Sequence, residues 1–351
     1  MRMVHRTILA SWIGLALAGT AIAGPFEDGW AAEQRGDFAA AAQAYRIAAD
    51  QGNADAQFNL AYLYDIGKGV AIDDAQAVKL YRLAAAQGNA DAQSNLGTMY
   101  ENGEGVALDY AEALRWYRLA AAQGDATAQS NIGVMYAKGK GVTVDSAEAI
   151  RWYRLAADKG NATGQNNLAY MYDVGKGVAI DDAQAVRLYR LAAAQGNSGA
   201  QSNLGTMYEN GEGVSVDYAE ALRWYRLAAG QGDATGQKNL AYMYDVGKGV
   251  AIDDAQAIRL YRLAAAQGNS GAQSNLGTMY EDGEGVSVDY AEALRWYRLA
   301  AGQGIATAQT NIGIMYDLGR GVAKDPVEAV RWYRLAAAQG DARAKAKLVG
   351  R

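Results

Sequence analysis

Gly52, Gly88, Gly124, Gly160, Gly196, Gly232, Gly268, Gly304 and Gly340 stand 36 residues apart without a slip, each preceded by Gln or Lys. A strict period of this length marks a repeat architecture, in which one supersecondary unit buries its apolar surface only against its neighbours. Eight full copies lie in this frame: residues 53–88, 89–124, 125–160, 161–196, 197–232, 233–268, 269–304 and 305–340.

The copy at 89–124 defines the unit. Asn89 caps a first helix, and Ala92, Leu96, Met99 and Tyr100 follow on one face at i, i+4, i+7 and i+8. Gly103-Glu104-Gly105-Val106 stops it, because two glycines in three residues disfavour helix and permit positive φ. Asp109 caps a second helix, with Glu112 at capping-box spacing. In the last copy Asp325 is followed by Pro326, a residue favoured at the first helical position. Ala113, Trp116, Tyr117, Ala120 and Ala121 make the second apolar stripe, and Gly124 closes it as a left-handed cap. Position 97 and its equivalents Ala61, Gly133, Ala169, Gly205, Ala241, Gly277 and Gly313 are only Ala or Gly, which predicts a close helix crossing.

The expected fold is all-α, a solenoid of stacked helix pairs. Residues 24–52 read as a shorter N-terminal capping pair turning at Gly36-Asp37, and residues 341–351 as a C-terminal half-repeat. The Arg35-Gly36-Asp37 tripeptide is read as that turn, not as an adhesion motif. Blocks 161–232 and 233–304 differ at only four of 72 positions: Asn161/Asp233, Asn166/Lys238, Val186/Ile258 and Asn210/Asp282. This points to recent duplication, so recurrence between copies carries little functional weight.

Residues 1–23 read as a secretory signal peptide: Arg2, His5 and Arg6, an apolar stretch from Ile8 to Ala18, then Ala21-Ile22-Ala23. Cleavage after Ala23 and a periplasmic or secreted location are expected, with no integral membrane segment in the mature chain. The formal charge is −5, and the first 23 residues contain two arginines and no acid. An acidic chain is a poor match for nucleic acid or an anionic membrane surface. There is no cysteine, and the one histidine is His5. Disulfides, thiolate or imidazole metal sites and a Ser-His-Asp set are therefore excluded from the mature chain. Ser-x-x-Lys, Lys-Thr-Gly and Ser-Asp-Asn are also absent. Neither an enzyme nor a cofactor is expected.

Gln93, Asn95-Leu96-Gly97, Met99-Tyr100, Gly103-Glu104-Gly105-Val106, Asp109 and Trp116-Tyr117-Arg118 resemble the Sel-one-like repeat (SLR), a relative of the tetratricopeptide repeat. The resemblance covers 53–340, with Leu80, Leu188 and Leu260 in place of the tryptophan. It implies a right-handed superhelix with the first helix of each pair on the concave side. It also implies an exported adaptor for a protein or extended peptide, in signalling, envelope assembly or host contact. Some secreted relatives bind or weakly hydrolyse β-lactams, but those carry a cysteine pair in each repeat. A cell-envelope enzyme of weak β-lactam- or peptidoglycan-hydrolase type and a passive spacer are the competing readings.

By this resemblance the concave face contains three rows. The first is Asn59, Asn95, Asn131, Asn167, Asn203, Asn239, Asn275 and Asn311, whose amides could pair with a peptide backbone or with a neighbouring repeat. The second is the possible aromatic anchors Tyr62, Tyr170 and Tyr242. The third is Asp65, Glu101, Asp173, Glu209, Asp245, Glu281 and Asp317, broken only by Ala137. An acid at a helix C-terminus opposes the macrodipole. These acids either bond the free amides of the glycine loop or form a groove for a basic peptide. Each Gly-x-Gly segment is read as an inter-helix turn and not a phosphate loop, because an Asp-opened helix follows. The loop centres Lys68, Glu104, Lys140, Lys176, Glu212, Lys248, Glu284 and Arg320 mostly alternate in sign, which predicts ion pairs between neighbouring loops.

Overall fold

The computed structural model describes residues 24–349. The expected signal peptide, residues 1–23, lies outside the described residues. Among those described, the nineteen elements are all α-helices. The chain divides into two compact units after Trp116. The first contains α1 (Pro25–Gln34), α2 (Phe38–Asp50), α3 (Ala54–Ile66), α4 (Asp74–Ala86) and α5 (Ala90–Asn102), and the division falls within α6 (Tyr110–Ala122). The second contains α7 (Ala126–Lys138), α8 (Ser146–Asp158), α9 (Ala162–Asp173), α10 (Asp182–Ala194), α11 (Ser198–Asn210), α12 (Tyr218–Gly230) and α13 (Ala234–Val246). It continues with α14 (Asp254–Ala266), α15 (Ser270–Asp282), α16 (Tyr290–Gly302), α17 (Ala306–Leu318), α18 (Pro326–Ala338) and the short α19 (Ala342–Leu348). Within each unit consecutive helices pack in sequence order, so each is a run of helix pairs.

The copy at 197–232 shows why the elements form. Asn197 Oδ1 accepts from Ala200 N at 2.8 Å and opens α11, and Gly211, at φ 77°, closes it. Asp217 Oδ1 accepts from Ala219 N and Glu220 N, both at 3.0 Å, and opens α12. The reciprocal half of a capping box does not form. Asp217 N already donates to Tyr208 O at 2.9 Å, and Glu220 instead takes Arg223 and the Trp224 indole N–H.

Ala200, Leu204 and Met207 of α11 are buried, as are Ala221, Leu222, Tyr225 and Ala228 of α12. Burial of one such large side chain contributes about 1.5–3 kcal/mol. Tyrosine, not the tryptophan before it, is the core residue of the pair: Tyr225 is fully buried, while Trp224 is half-buried beneath the Arg223 guanidinium. The Ala/Gly row explains this. A Cβ on Gly205 would stand 2.6 Å from the Tyr225 ring, so the small residue is the seat of the ring.

Two devices join consecutive copies. The second glycine of the loop, as at Gly69, Gly105, Gly177, Gly213, Gly249, Gly285 and Gly321, rests on the first turn of the preceding pair's second helix. A Cβ on Gly213 would lie 2.5 Å from the Asp182 carbonyl. Buried glutamines form the other device. Gln201 Nε2 donates back to Ala193 O of the preceding copy at 3.1 Å, and its Oε1 is held within its own copy by Gln231 Nε2 at 2.7 Å. The same Gln–Gln bond recurs at Gln165–Gln195, Gln237–Gln267, Gln273–Gln303 and Gln309–Gln339.

The loop centres do not pair with one another as their signs predict. Lys248 Nζ reaches Glu209 at 2.9 Å and Arg320 reaches Glu281 at 2.9 Å. The seating glycine brings each loop over the end of the preceding first helix, where these acids stand. Gly249 rests on Tyr218 and Gly321 on Tyr290, and the same two cations lie over those two rings.

Candidate binding face

Two of the three rows read from the sequence are joined by a residue not assigned to either. The fully buried tyrosine of each second helix needs a hydrogen-bond partner inside the stack. Tyr261 OH donates to Asp245 at 3.0 Å and accepts from Asn275 Nδ2 of the next copy at 2.9 Å. Tyr81 makes the same relay between Asp65, at 3.3 Å, and Asn95, at 3.1 Å. Tyr189, Tyr225, Tyr297 and Tyr333 donate to Asp173, Glu209, Glu281 and Asp317 at 2.7–3.0 Å. The buried hydroxyl is thus the reason for an acid at a helix C-terminus. The loop amides are otherwise engaged, as where Lys248 N donates to Met243 O. Glu101 is half-buried at the equivalent place on α5. Burial holds the Asp173 and Asp245 carboxyls above their usual range, against the lowering effect of the tyrosine hydrogen bonds.

The asparagine row is likewise turned toward neighbouring copies. Asn203 donates to Asn166 at 3.4 Å and Asn239 to Thr206 at 3.4 Å, while Asn311 accepts from Arg343 at 3.2 Å. Asn59 stands beside the Tyr45 hydroxyl, Asn167 accepts from Asn166, and Asn131 is half-buried. Where Ala137 breaks the acid row, Tyr153 has no carboxylate partner, and burial alone pushes its hydroxyl pKa up.

The aromatic row is different. Tyr170 and Tyr242 are 48% and 39% exposed, and each shares a face with an exposed valine one turn on, Val174 and Val246. Tyr62 is half-buried. Sequence reasoning missed the tyrosine–acid relay and the glutamine clasp, although Gln93 was part of the motif. It also missed the bonds from second-helix arginines to the next copy's first-helix tyrosine, such as Arg190 to Tyr208 OH at 2.7 Å. The period of 36 was the available signal: a polar residue repeated at one place in successive copies is a candidate for a bond within the stack.

Among the described residues no group of three or more His, Cys, Asp or Glu is placed to hold a metal ion, and no helix is long and apolar enough to cross a membrane. The structure defines an all-α repeat scaffold, knitted by polar relays, whose first helices carry exposed side chains that vary between copies.

The chain belongs to the Sel1 repeat family, matched over residues 54–89, 90–125, 126–161, 162–197, 198–233, 234–269, 270–305 and 306–341. These matches start one residue later than the glycine-based frame. Repeats of this kind generally mediate protein–protein interaction. A protective antigen of uropathogenic Escherichia coli with an SLR fold is similar at 35% identity, over 93% of this chain and 80% of that one, with a TM-score of 0.55. A Sel1 repeat protein of Oxalobacter formigenes is similar at 33% identity, over 70% of this chain and 96% of that one, with a TM-score of 0.62. None of the curated proteins matches.

Proposed function

We propose that this chain is an exported scaffold that binds a protein or an extended peptide along its first helices, without catalysis or cofactor. The observation that carries the reading is the pair of exposed apolar sites Tyr170/Val174 and Tyr242/Val246, standing out from a uniform interior. Aromatic side chains are the commonest anchors of binding energy. The acids Asp65, Asp173, Glu209, Asp245, Glu281 and Asp317 first serve the buried tyrosines, and the negative charge that remains, with that of Glu101, favours a basic partner. The asparagines serve mainly to link copies. Residues 1–23 support export, and so does the relative that is a protective antigen.

A photo-crosslinking amino acid placed at 170 or 242 in producing cells tests the face. The expected result is a common protein adduct at both sites and none at the exposed second-helix positions Leu191 and Leu263. With that protein purified, combined Tyr170→Ala and Tyr242→Ala should weaken binding at least about tenfold, roughly 1.4 kcal/mol, with helical content unchanged. Adducts confined to 191 and 263, or unchanged affinity, would refute the reading.

A further inference from the structure

A face built from copies has a difficulty of register. Blocks 161–232 and 233–304 are identical at all but four of 72 positions, so a partner anchored on Tyr170 meets nearly the same residues of the block itself on Tyr242. Specificity is a difference in free energy between such alternatives, and one polar residue at a single position can supply it, as in coiled-coil register.

Of the four differences, Asn166/Lys238 lies one helical turn before the exposed tyrosine of its block. In the first block Asn166 is spent within the stack: its Nδ2 donates to Asn167 and its Oδ1 accepts from Asn203 of the next copy. In the second block Lys238 cannot make that relay, since an ammonium has no acceptor. Asn275, the counterpart of Asn203, turns to the Tyr261 hydroxyl, and Asn239, the counterpart of Asn167, to Thr206.

Lys238 is half-buried, its stem passing 3.4 Å from where a Cβ on Gly271 would stand. Its ammonium makes no hydrogen bond or ion pair among the described residues. The nearby carboxylate, Glu209, already holds Lys248 at 2.9 Å and the Tyr225 hydroxyl at 2.7 Å. Two ammonium groups thus flank one committed carboxylate, one turn of helix from exposed Tyr242. This is a net positive corner on a chain of net charge −5. Burial accordingly lowers the Lys238 pKa, against the opposing influence of Glu209.

We propose that Lys238 binds a carboxylate of the partner, an Asp or Glu side chain or a chain end, beside Tyr242, and so sets the register in which the partner lies. The proposal rests on the binding face described above. A charge-assisted hydrogen bond to the ammonium supplies the discrimination, and the same position in the other block is the neutral amide of Asn166.

Two probes test the site separately from the face. The first is acetate, titrated into the full chain while lysine side-chain resonances are followed by NMR, with the Lys238 signal identified by its loss in Lys238→Asn. The Lys238 signal should saturate at an acetate concentration about fivefold below that which moves exposed lysines, a difference of about 1 kcal/mol. The second is a pair of fluorescein-labelled heptapeptides of lysine, tyrosine and glycine with a central Glu or Gln, followed by anisotropy. The Glu peptide should bind about fivefold more tightly, about 1 kcal/mol again. Lys238→Asn should abolish the preference, Lys238→Arg should retain it, and helical content should not change. If acetate saturates Lys238 but neither peptide binds, the site stands and the binding face falls. If both peptides bind alike, or the preference survives Lys238→Asn, the site falls and the face stands. If Lys238 responds as the exposed lysines do and neither peptide binds, both fall.

Discussion

Tyr225 and Tyr153 occupy the same place in their copies and differ in their partners: Tyr225 OH also meets Thr206 Oγ1 at 3.1 Å, where the copy of Tyr153 carries Val134. Tyr225 donates to Glu209, whereas Ala137 leaves Tyr153 without a carboxylate. A hydrogen bond to a charged group contributes about 1.5–3 kcal/mol. Tyr225→Phe should therefore lower stability toward urea by about that amount, less what Glu209 retains through Lys248. Tyr153→Phe should leave stability within about 0.5 kcal/mol of the unaltered chain, the usual scatter of a substitution that breaks no partnership. Equal losses would mean that the relay adds nothing to ring burial. The gap at Ala137 was visible in the sequence. Its effect on Tyr153 was not, because the two residues are 16 apart on different helices and only the folded pair brings them together.

The helices and their ends were the most legible part of the chain. Asn and Asp caps, left-handed glycine stops and the paired apolar stripes all stand where spacing put them, because each depends on contacts within one turn. What depends on a second helix was read less well. The tryptophan, Trp116 in the type copy, was assigned to the core stripe, yet in the copy at 197–232 the ring that reaches the small position is that of Tyr225, not Trp224. Glu112, expected to close a capping box, is instead held by Arg115 at 2.6 Å, and the N-cap amide it would have met is taken by Tyr100 O. The left-handed glycines themselves divide by role. Gly213→Ala faces both a strained φ of 66° and the Asp182 carbonyl 2.5 Å away, whereas Gly196→Ala, at φ 88°, meets open space. Gly196→Ala should cost about 1–2 kcal/mol, the left-handed penalty alone. Gly213→Ala should cost at least about 1 kcal/mol more, through overpacking. Urea melts of the two variants check this, and equal costs would show that the loop seat yields freely.

For the chain as a whole, the period of 36 was sufficient to number the copies, and the motif within each copy carried the resemblance to the family. It could not show which way the polar rows turn. Asn203 and Asp245 were placed on the binding face by the family resemblance. Which neighbour an amide or carboxylate meets depends on the rotation between consecutive copies, which no local pattern encodes. Stability in such an array is close to a sum of unit and nearest-neighbour terms. Removing residues 161–232 joins Gly160 to Asp233, another cap residue at a copy boundary. The shortened chain should keep its helical signal per residue and unfold at a lower urea midpoint, as circular dichroism would register. A disproportionate loss of helix would mean coupling beyond adjacent copies.

The bonds between neighbouring copies bear on how quickly such a chain can fold. They span from 8 residues, as at Gln201–Ala193, to 39, as at Lys248–Glu209. Loop-closure entropy rises only with the logarithm of the length closed, and here that length does not grow as copies are added. Each new pair of helices pays the same entropy to dock on the one before it. The search for the native state therefore proceeds in steps of constant difficulty, and lengthening the chain adds steps without slowing any of them.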